Sequence, residues 1–580
     1  MLENLSPQTI KNCTEEELEG LCDELRETIF QTVMQCGGHL ASNLGAIEST
    51  VAMFRVFDFP NDKVVFDVGH QCYAYKLLSD RYERFSTLRQ KNGLSGFPKR
   101  EESVYDCYNT GHAGTSISAA LGIAKARDLH NSDFQVIAYI GDGSFQNGLV
   151  YEALNSLKIL NTKILIILND NDMSISPTVG GMHDVLSAIK QGKGENSVRL
   201  LESFGLKYIG VKDGNNVREM VDALTQAKQL LQTDCVLLHI ATQKGKGYAF
   251  SEEYPTHTHG VSAIGASVEK EYSQVLGETL CTLAKSNDKL TVVTAAMKES
   301  LGLSAFFKQY PTRAFDIGIC EENAAVLCSA MAVGGLKPYY AIYSTFLQRA
   351  FDEIIHDVCA QDLPVTFCID RAGIVGADGE THQGVFDLSY LSLIPNLTIA
   401  VPKDTQEFKQ MLQFSAEYAH PLAIRYPRSG EVVFPQTKTP ICAGEWEYLH
   451  RAKDGENARV SVIACGERSL LLAMEALHLE RQQGNDFNVI NARFVKPLDM
   501  QTLQNLQSKY VITIEDNVFN GGLGAMVNNT LIQLEKGCKV KNFAYNDAFI
   551  PQGKIAELQK EYGVDALEVR KYIKKALEEK

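Results

Sequence analysis

The sequence has no CxxC pair among its 14 cysteines, no apolar run longer than a strand, no low-complexity segment and no short-period repeat. Fourteen cysteines in 580 residues is far below the density of a disulfide scaffold, so most are expected to be buried thiols in a reducing compartment. Runs such as ILIIL at 164–168 are strand-length, and MLENLSPQTIKNCTEEEL at the start has no basic segment followed by an apolar one. A cytoplasmic protein with no membrane anchor is the expectation. Basic charge is also short: 56 Lys and Arg face 71 Asp and Glu, net −15. That balance argues against a nucleic-acid or anionic-membrane partner and leaves room for a local phosphate site. What is present, 45% hydrophobic and 22% charged residues, is ordinary globular composition, with length for about three to five domains.

Short Val- and Ile-rich runs alternate with longer helical patterns, and Gly or Asp often follows a run directly, as in parallel βαβ units. Strands are expected at 135–140, 163–168, 236–240, 290–294, 365–369, 397–401, 460–464 and 511–515. The fold class is therefore α/β throughout. Two stretches break the rhythm, 244–266 and 427–444, and divide the chain into 1–255, 270–430 and 443–580.

The strongest local signal is an apolar strand ending in Gly141-Asp142-Gly143, followed by a helical segment and a second strand ending in Asn169-Asp170-Asn171. Ligands of open α/β sheets collect outside the carboxyl ends of strands, and glycines flanking Asp142 let a diphosphate approach the backbone and the next helix N-terminus. Asp142, the Asn171 amide and the main-chain carbonyl of Met173 form an oxygen set suited to Mg²⁺.

GDG followed by Asn 29 residues after the Asp resembles the diphosphate motif of thiamine diphosphate enzymes. GGHLASNLG (37–45), FDVGHQ (66–71), RQKNGLSGFP (89–98), GHAGTSIS (111–118) and NDNDMSIS (169–176) narrow the resemblance to the 1-deoxy-D-xylulose-5-phosphate synthase family. YSTFLQRAFD (343–352), DRAGIVGADGETHQGVFDLSY (370–390), IEDN (514–517) and GGLG (521–524) extend it over nearly the whole chain. The resemblance implies three doubly wound domains of the transketolase-like fold: one for the diphosphate and Mg²⁺, one for the pyrimidine, and a C-terminal one. It places the site between the first two and implies a homodimer. It also implies thiamine diphosphate and Mg²⁺ as cofactors, and the decarboxylating condensation of pyruvate with D-glyceraldehyde 3-phosphate, which supplies isoprenoid, thiamine and pyridoxal synthesis. Losing CO₂ from a 2-oxo acid leaves an electron pair that no side chain delocalises, so a cofactor must accept it.

The same resemblance distributes roles. Glu321, between AFDIGIC and the helical AAVLCSAM, is the acid beside the aminopyrimidine, and a strand end in an apolar setting favours its neutral form. His70, Gly111, His112, Ala113, Gly143, Ser144, Asn171 and Tyr248 resemble cofactor contacts. His39, His259 and His382 surround the pyruvate-derived fragment and the aldehyde, whereas His130, His420, His450 and His478 are expected at the surface. Tyr343, Arg349, Arg371, Asp378, His382 and Arg428 resemble the acceptor side, where an Arg fork matches a phosphate.

The chain departs from the family's pattern at Glu322 and Asn323, where Gln and His are usual, and at Asn215–Asn216 and Tyr75, each beside or at a position where His is usual. Between 176 and 203 it is roughly forty residues shorter than many members. Two alternatives share part of this pattern: a transketolase-class transferase with a ketose phosphate donor, opposed by the 370–390 motif, and a non-catalytic cofactor-binding paralogue, opposed by retention of Asp142, Asn171 and Glu321.

Overall fold

A parallel strand covered on both faces needs apolar side chains at every position, and VIAYIG at 136–141 has them. Ile137 and Tyr139 enter one core, with helices Glu15–Cys36, Ile47–Val56 and Val217–Leu230. Val136, Ala138 and Ile140 enter another, with helices Ser116–Leu129 and Gly148–Leu160. The two-residue side-chain period thus splits one strand between two layers. The computed structural model describes residues 2–174, 176–261, 272–430, 432–435 and 440–579. Among these, seventeen strands form three sheets, and the chain gathers into two compact units.

The first unit runs to Val261 and includes the short segments Ile317–Cys320 and Ala377–Thr381. Its sheet contains β1 (Lys63–Phe66), β2 (Val136–Gly141), β3 (Leu165–Asp170), β4 (Leu206–Asp213) and β5 (Cys235–Ala241), in the order β1-β2-β3-β5-β4. All its pairings are parallel. Thr14 and Glu17 close a capping box at the start of helix Glu15–Cys36. Helices Gly181–Lys190 and Glu195–Glu202 occupy the stretch between 176 and 203.

The second unit holds two sheets. One contains β6 (Leu290–Thr294), β7 (Ala314–Asp316), β8 (Lys337–Tyr343), β9 (Thr366–Asp370), β10 (Thr398–Ala400) and β11 (Leu422–Arg425). The other contains β12 (Glu447–His450), β13 (Val460–Ala464), β14 (Asn488–Asn491), β16 (Tyr510–Val518) and β17 (Lys539–Tyr545), in the order β12-β14-β13-β16-β17. β15 (Phe494–Lys496), although late in sequence, pairs antiparallel with β10 and gives the order β15-β10-β11-β9-β8-β6-β7.

Three doubly wound α/β domains were expected; the described residues hold three α/β sheets, and all eight strands read from the sequence are present, two of them (290–294 and 460–464) with the same ends. Of the expected boundary stretches, residues 262–266, 431 and 436–439 lie outside the described residues, as does the expected domain start at 270. No helix among the described residues is long and apolar enough to cross a membrane.

A buried ion cluster ties the two sheets of the second unit together. Arg493, 1% exposed, pairs with Glu407 (3.1 Å) and Glu447 (2.9 Å), Lys403 donates to Glu447 (2.6 Å), and the Asn491 amide bonds both carboxylates. Removing the arginine leaves buried Glu407 without its cation and Glu447 with Lys403 alone. Arg493→Met is expected to lower stability by about 3–5 kcal/mol, read as a lower urea midpoint, with Arg493→Lys intermediate; an unchanged midpoint would show that the cluster contributes nothing.

Candidate active site

The register of β2 on β3 sets Gly141 opposite Asn169, so Asp142 and Asn171 leave the sheet side by side. Asp142 N donates to the Asn169 carbonyl (3.1 Å), and Asn171 N lies 3.5 Å from Asp142 Oδ1. Asp142 is 2% exposed. Burial, then the nearby Asp170 charge, pushes its carboxyl up to about 7, against the pull of the Asn171 backbone, Thr178 and Lys244. Asp170 differs: burial raises it, but hydrogen bonds from His239 (2.9 Å) and Lys190 (2.9 Å) outweigh that and hold it low. Met173 N donates to Asn171 Oδ1 (3.1 Å). Asp142 and Asn171 thus stand at neighbouring strand ends, a buried carboxyl beside a residue that carries an amide oxygen. That pair fits a hard divalent cation.

Around this pair the structure departs from expectation in two ways. A 3₁₀ turn, Ser144–Gln146, comes between Gly143 and the next helix, Gly148–Leu160, and Asn147 caps that helix by accepting from Leu149 N (3.0 Å). Ser174 also lies against Gly143, where a Cβ would stand 2.8 Å from that of Ser174, and Thr178 Oγ1 donates to Asp142 Oδ2 (3.1 Å). Gly143 therefore also serves this close approach. Lys244, not singled out from the sequence, is buried and donates to the Ser174 carbonyl. Burial brings its ammonium down to about 8 although Asp142 favours the charge. Its signal was a Lys just beyond an apolar run, within TQKGKGY.

His39, His70 and His259 come together from three distant segments, with ring centroids 5.7, 5.5 and 5.5 Å apart. A backbone bridge between Gly38 and Val261 brings His259 to the first loop, and Ala41 N donates to the Thr258 carbonyl (3.0 Å). Asn43 links the other two by donating to the carbonyls of His39 and His70 (2.6 Å each). Burial first, then electrostatic repulsion led by Lys244 with His70 and His39 as further contributors, holds His259 well below the usual imidazole range, so it is neutral at pH 7.

The 111–116 turn is anchored by buried Asp67, which accepts from Gly114 N (2.8 Å) and Ser116 N (3.0 Å). It presents His112, whose Nε2 is 2.8 Å from the Thr381 carbonyl, alongside Gly111 and Ala113. Tyr248 is engaged elsewhere: its ring stacks on Phe30 at 4.0 Å and its hydroxyl donates to Glu27 (3.0 Å). Asp378, expected with the acceptor arginines, also lies in the first unit, where Arg89 binds its carboxylate at 2.7 Å. Arg89 lies in the quoted 89–98 motif but drew no role of its own.

In the second unit, Glu321 is the first residue of helix Glu321–Val333 and not a strand end, because β7 stops at Asp316. A helix start favours a carboxylate, yet burial outweighs this and pushes the carboxyl up to about 7. Arg349, 3.6 Å away, pulls it down, and Glu322 pushes it further up. Tyr340 OH donates to the Glu321 carbonyl (3.1 Å).

Parallel register aligns Tyr343 with Asp370, and Ile369 with Arg425, so residues 343, 371 and 426–428 emerge at one sheet edge. The Arg371 guanidinium lies 3.7 Å from the Tyr343 ring centroid, and Arg428 is near enough to pull that phenol's pKa down while burial raises it. Tyr343 stacks on Phe346 (5.7 Å), which meets His382 edge-on (5.6 Å). Phe346 was not singled out from the sequence. His130, His420 and His478 are exposed as expected, whereas His450 is half-buried and binds Asp486 (2.7 Å).

Family models match in succession: 1-deoxy-D-xylulose-5-phosphate synthase at 2–200 and 194–242, the pyrimidine-binding domain of transketolase at 269–430, and the transketolase C-terminal domain at 450–569. Among solved structures, a transketolase from Campylobacter jejuni aligns with 96% of this chain and 99% of its own at 19% identity, TM-score 0.43. Proteins named 1-deoxy-D-xylulose-5-phosphate synthase are similar from end to end: that of Clostridium beijerinckii is 43% identical over 98% of both chains, and that of Clostridium botulinum 41% over 99% of both. The Clostridium tetani protein of that name is 41% identical over 98% of both. Similarity at that level along the whole length, on a chain of three α/β sheets, means that it belongs to the 1-deoxy-D-xylulose-5-phosphate synthase family.

Proposed function

We infer that this chain forms 1-deoxy-D-xylulose 5-phosphate and CO₂ from pyruvate and D-glyceraldehyde 3-phosphate, the first step of non-mevalonate isoprenoid synthesis. The observation that carries this reading is end-to-end identity with relatives of that name. The cofactors are thiamine diphosphate and Mg²⁺; when bound, the thiazolium ring accepts the electron pair left as CO₂ departs.

The chain's own residues take the remaining roles. Asp142, Asn171 and the Met173 carbonyl hold Mg²⁺. Gly143, Ser144, His70 and the Gly111–His112–Ala113 turn bind the cofactor, with Lys244 as a buried cation beside them. Tyr248 completes this set in our reading, although its hydroxyl is engaged with Glu27. Glu321, kept neutral by burial, holds a proton at its carboxyl oxygen for the aminopyrimidine nitrogen. Neutral His259 accepts a proton, while His39 and His382 serve the pyruvate and aldehyde oxygens. Tyr343, Arg349, Arg371 and Arg428 cradle the phosphate, and Asp378, oriented by Arg89, binds an aldehyde hydroxyl.

A homodimer belongs to this reading. Its support is the apolar helix Glu321–Val333, which leaves Val326 (40%) and Val333 (68%) exposed. A cytoplasmic location is supported by all fourteen cysteines being free thiols.

NMR of ¹³C-pyruvate with D-glyceraldehyde 3-phosphate should show labelled 1-deoxy-D-xylulose 5-phosphate; turnover of only a ketose phosphate donor would reject the reading. Glu321→Gln is expected to lose at least about 100-fold in turnover with cofactor affinity nearly unchanged. Because the neutral acid is the working form, wild-type activity falls as pH rises through about 7, and Glu322→Gln, by removing a negative neighbour, moves that limb to lower pH. A limb that stays put in Glu322→Gln would take Glu321 out of this role. Arg428→Ala should raise KM about tenfold or more for the phosphorylated aldehyde and far less for D-glyceraldehyde; equal changes would remove it from the cradle. Light scattering should return twice the chain mass, and a monomer would reject the dimer.

A further inference from the structure

The IEDN motif at 514–517 has no role in the site above, yet its Asp516 is a hub. Oδ1 accepts from Ile374 N (3.1 Å) and Tyr545 OH (2.6 Å), and Oδ2 accepts from Arg468 Nη1 (2.9 Å). The same Arg468 nitrogen donates to the Ile374 carbonyl (2.6 Å), and Nη2 donates to the Arg428 carbonyl (3.3 Å). Gly373, at φ +80°, passes so close that a Cβ there would stand 2.0 Å from Asp516 Oδ2. One step back, Ala372 N donates to the Tyr426 carbonyl (3.0 Å), tying the turn after Arg371 to the strand end before Arg428.

Arg468 lies in the first turn of helix Glu467–Arg481 and Asp516 near the end of β16, so one comes from the sheet that carries none of the assigned site residues and the other from a helix packed on it. We infer that the Arg468–Asp516 pair is a positioning device for the acceptor side. It fixes the backbone of the 371–374 turn and of Arg428, and so sets where the Arg371 and Arg428 guanidiniums meet the aldehyde's phosphate. This inference rests on the acceptor roles proposed for those two arginines. A planar fork shared among one carboxylate and two carbonyls defines position more sharply than a single point charge. A phosphate cradle depends on such outer contacts, because its binding energy falls when guanidiniums are free to wander.

Arg468→Met keeps the side chain's length and removes the fork. KM for D-glyceraldehyde 3-phosphate should rise at least about tenfold, while KM for unphosphorylated D-glyceraldehyde and for pyruvate stays within about twofold. Arg468→Lys, which can reach Asp516 but not both carbonyls, should fall between. If Arg468→Met does not fold, Asp516→Asn reads the same preference. Equal changes for both aldehydes, or a lower unfolding temperature with unaltered phosphate preference, overturn the inference. Arg371→Met and Arg428→Ala, measured alongside, separate the two ideas. If they show phosphate preference and Arg468→Met does not, only the positioning role falls; if none shows it, the acceptor reading falls and takes the positioning role with it.

Discussion

Desolvation of two carboxyl groups, Asp142 and Glu321, is the constraint around which this chain is organised. Each is buried, and each is pushed up to about 7 by that burial. The same cause serves opposite ends. Beside Asp142 stands Asn171, and in the reading proposed above a divalent ion held there stabilises the ionised carboxylate. Beside Glu321 stands Arg349 at 3.6 Å, too long for a hydrogen bond, and the more distant negative charge of Glu322 works against it. There the neutral acid is within reach at physiological pH.

Local chemistry was legible in the sequence where one strand supplies both the burial and the ligand. GDG and the following Asn were readable because parallel strands put their carboxyl ends at one edge, and the β2–β3 register does the rest. One strand that escaped notice, β8, is long and buried along its whole length, but Lys337 and Pro338 open it and tyrosines fill much of the rest. Others are short or half-exposed: β1 has four residues, β15 three, and β4 has only two buried positions. None of these three makes the long unbroken apolar run that marks a strand covered on both faces. Chain-distant contacts were not legible from pattern. The His39–His70–His259 triangle depends on the Gly38–Val261 bridge and on Asn43, and no periodicity encodes either. Asp378 was grouped with the acceptor arginines because it sits in their motif, but Ala377–Thr381 packs with the first unit, where Arg89 meets it.

The departures from the family pattern have different physical weights. Tyr75 is fully buried among Phe54, Phe59 and Phe66, and its hydroxyl donates to the Tyr105 carbonyl (2.8 Å), so it is a core residue. Asn215 is local structure: its amide bonds Glu48 (3.1 Å) and its oxygen accepts from Gln243 N (2.6 Å). Glu322 is the one that acts on Glu321, because a carboxylate there keeps its neighbour protonated to higher pH than an amide does. Asn323 is exposed, and nothing in the structure explains that substitution.

The proton on Glu321 also sets the charge state of its surroundings. When Glu321 is ionised, Arg349 spends part of its field on a carboxylate 3.6 Å away. When Glu321 is neutral that compensation is gone, and the guanidinium's charge is directed toward whatever anion approaches. Arg371 is tempered differently, by the Tyr343 ring and by Asp370 at 3.7 Å, neither of which changes with Glu321's protonation. Protonation of a single buried acid therefore strengthens the field that Arg349 presents to an anion and leaves that of Arg371 as it was. In a low-dielectric site that difference is felt more strongly than it would be in water.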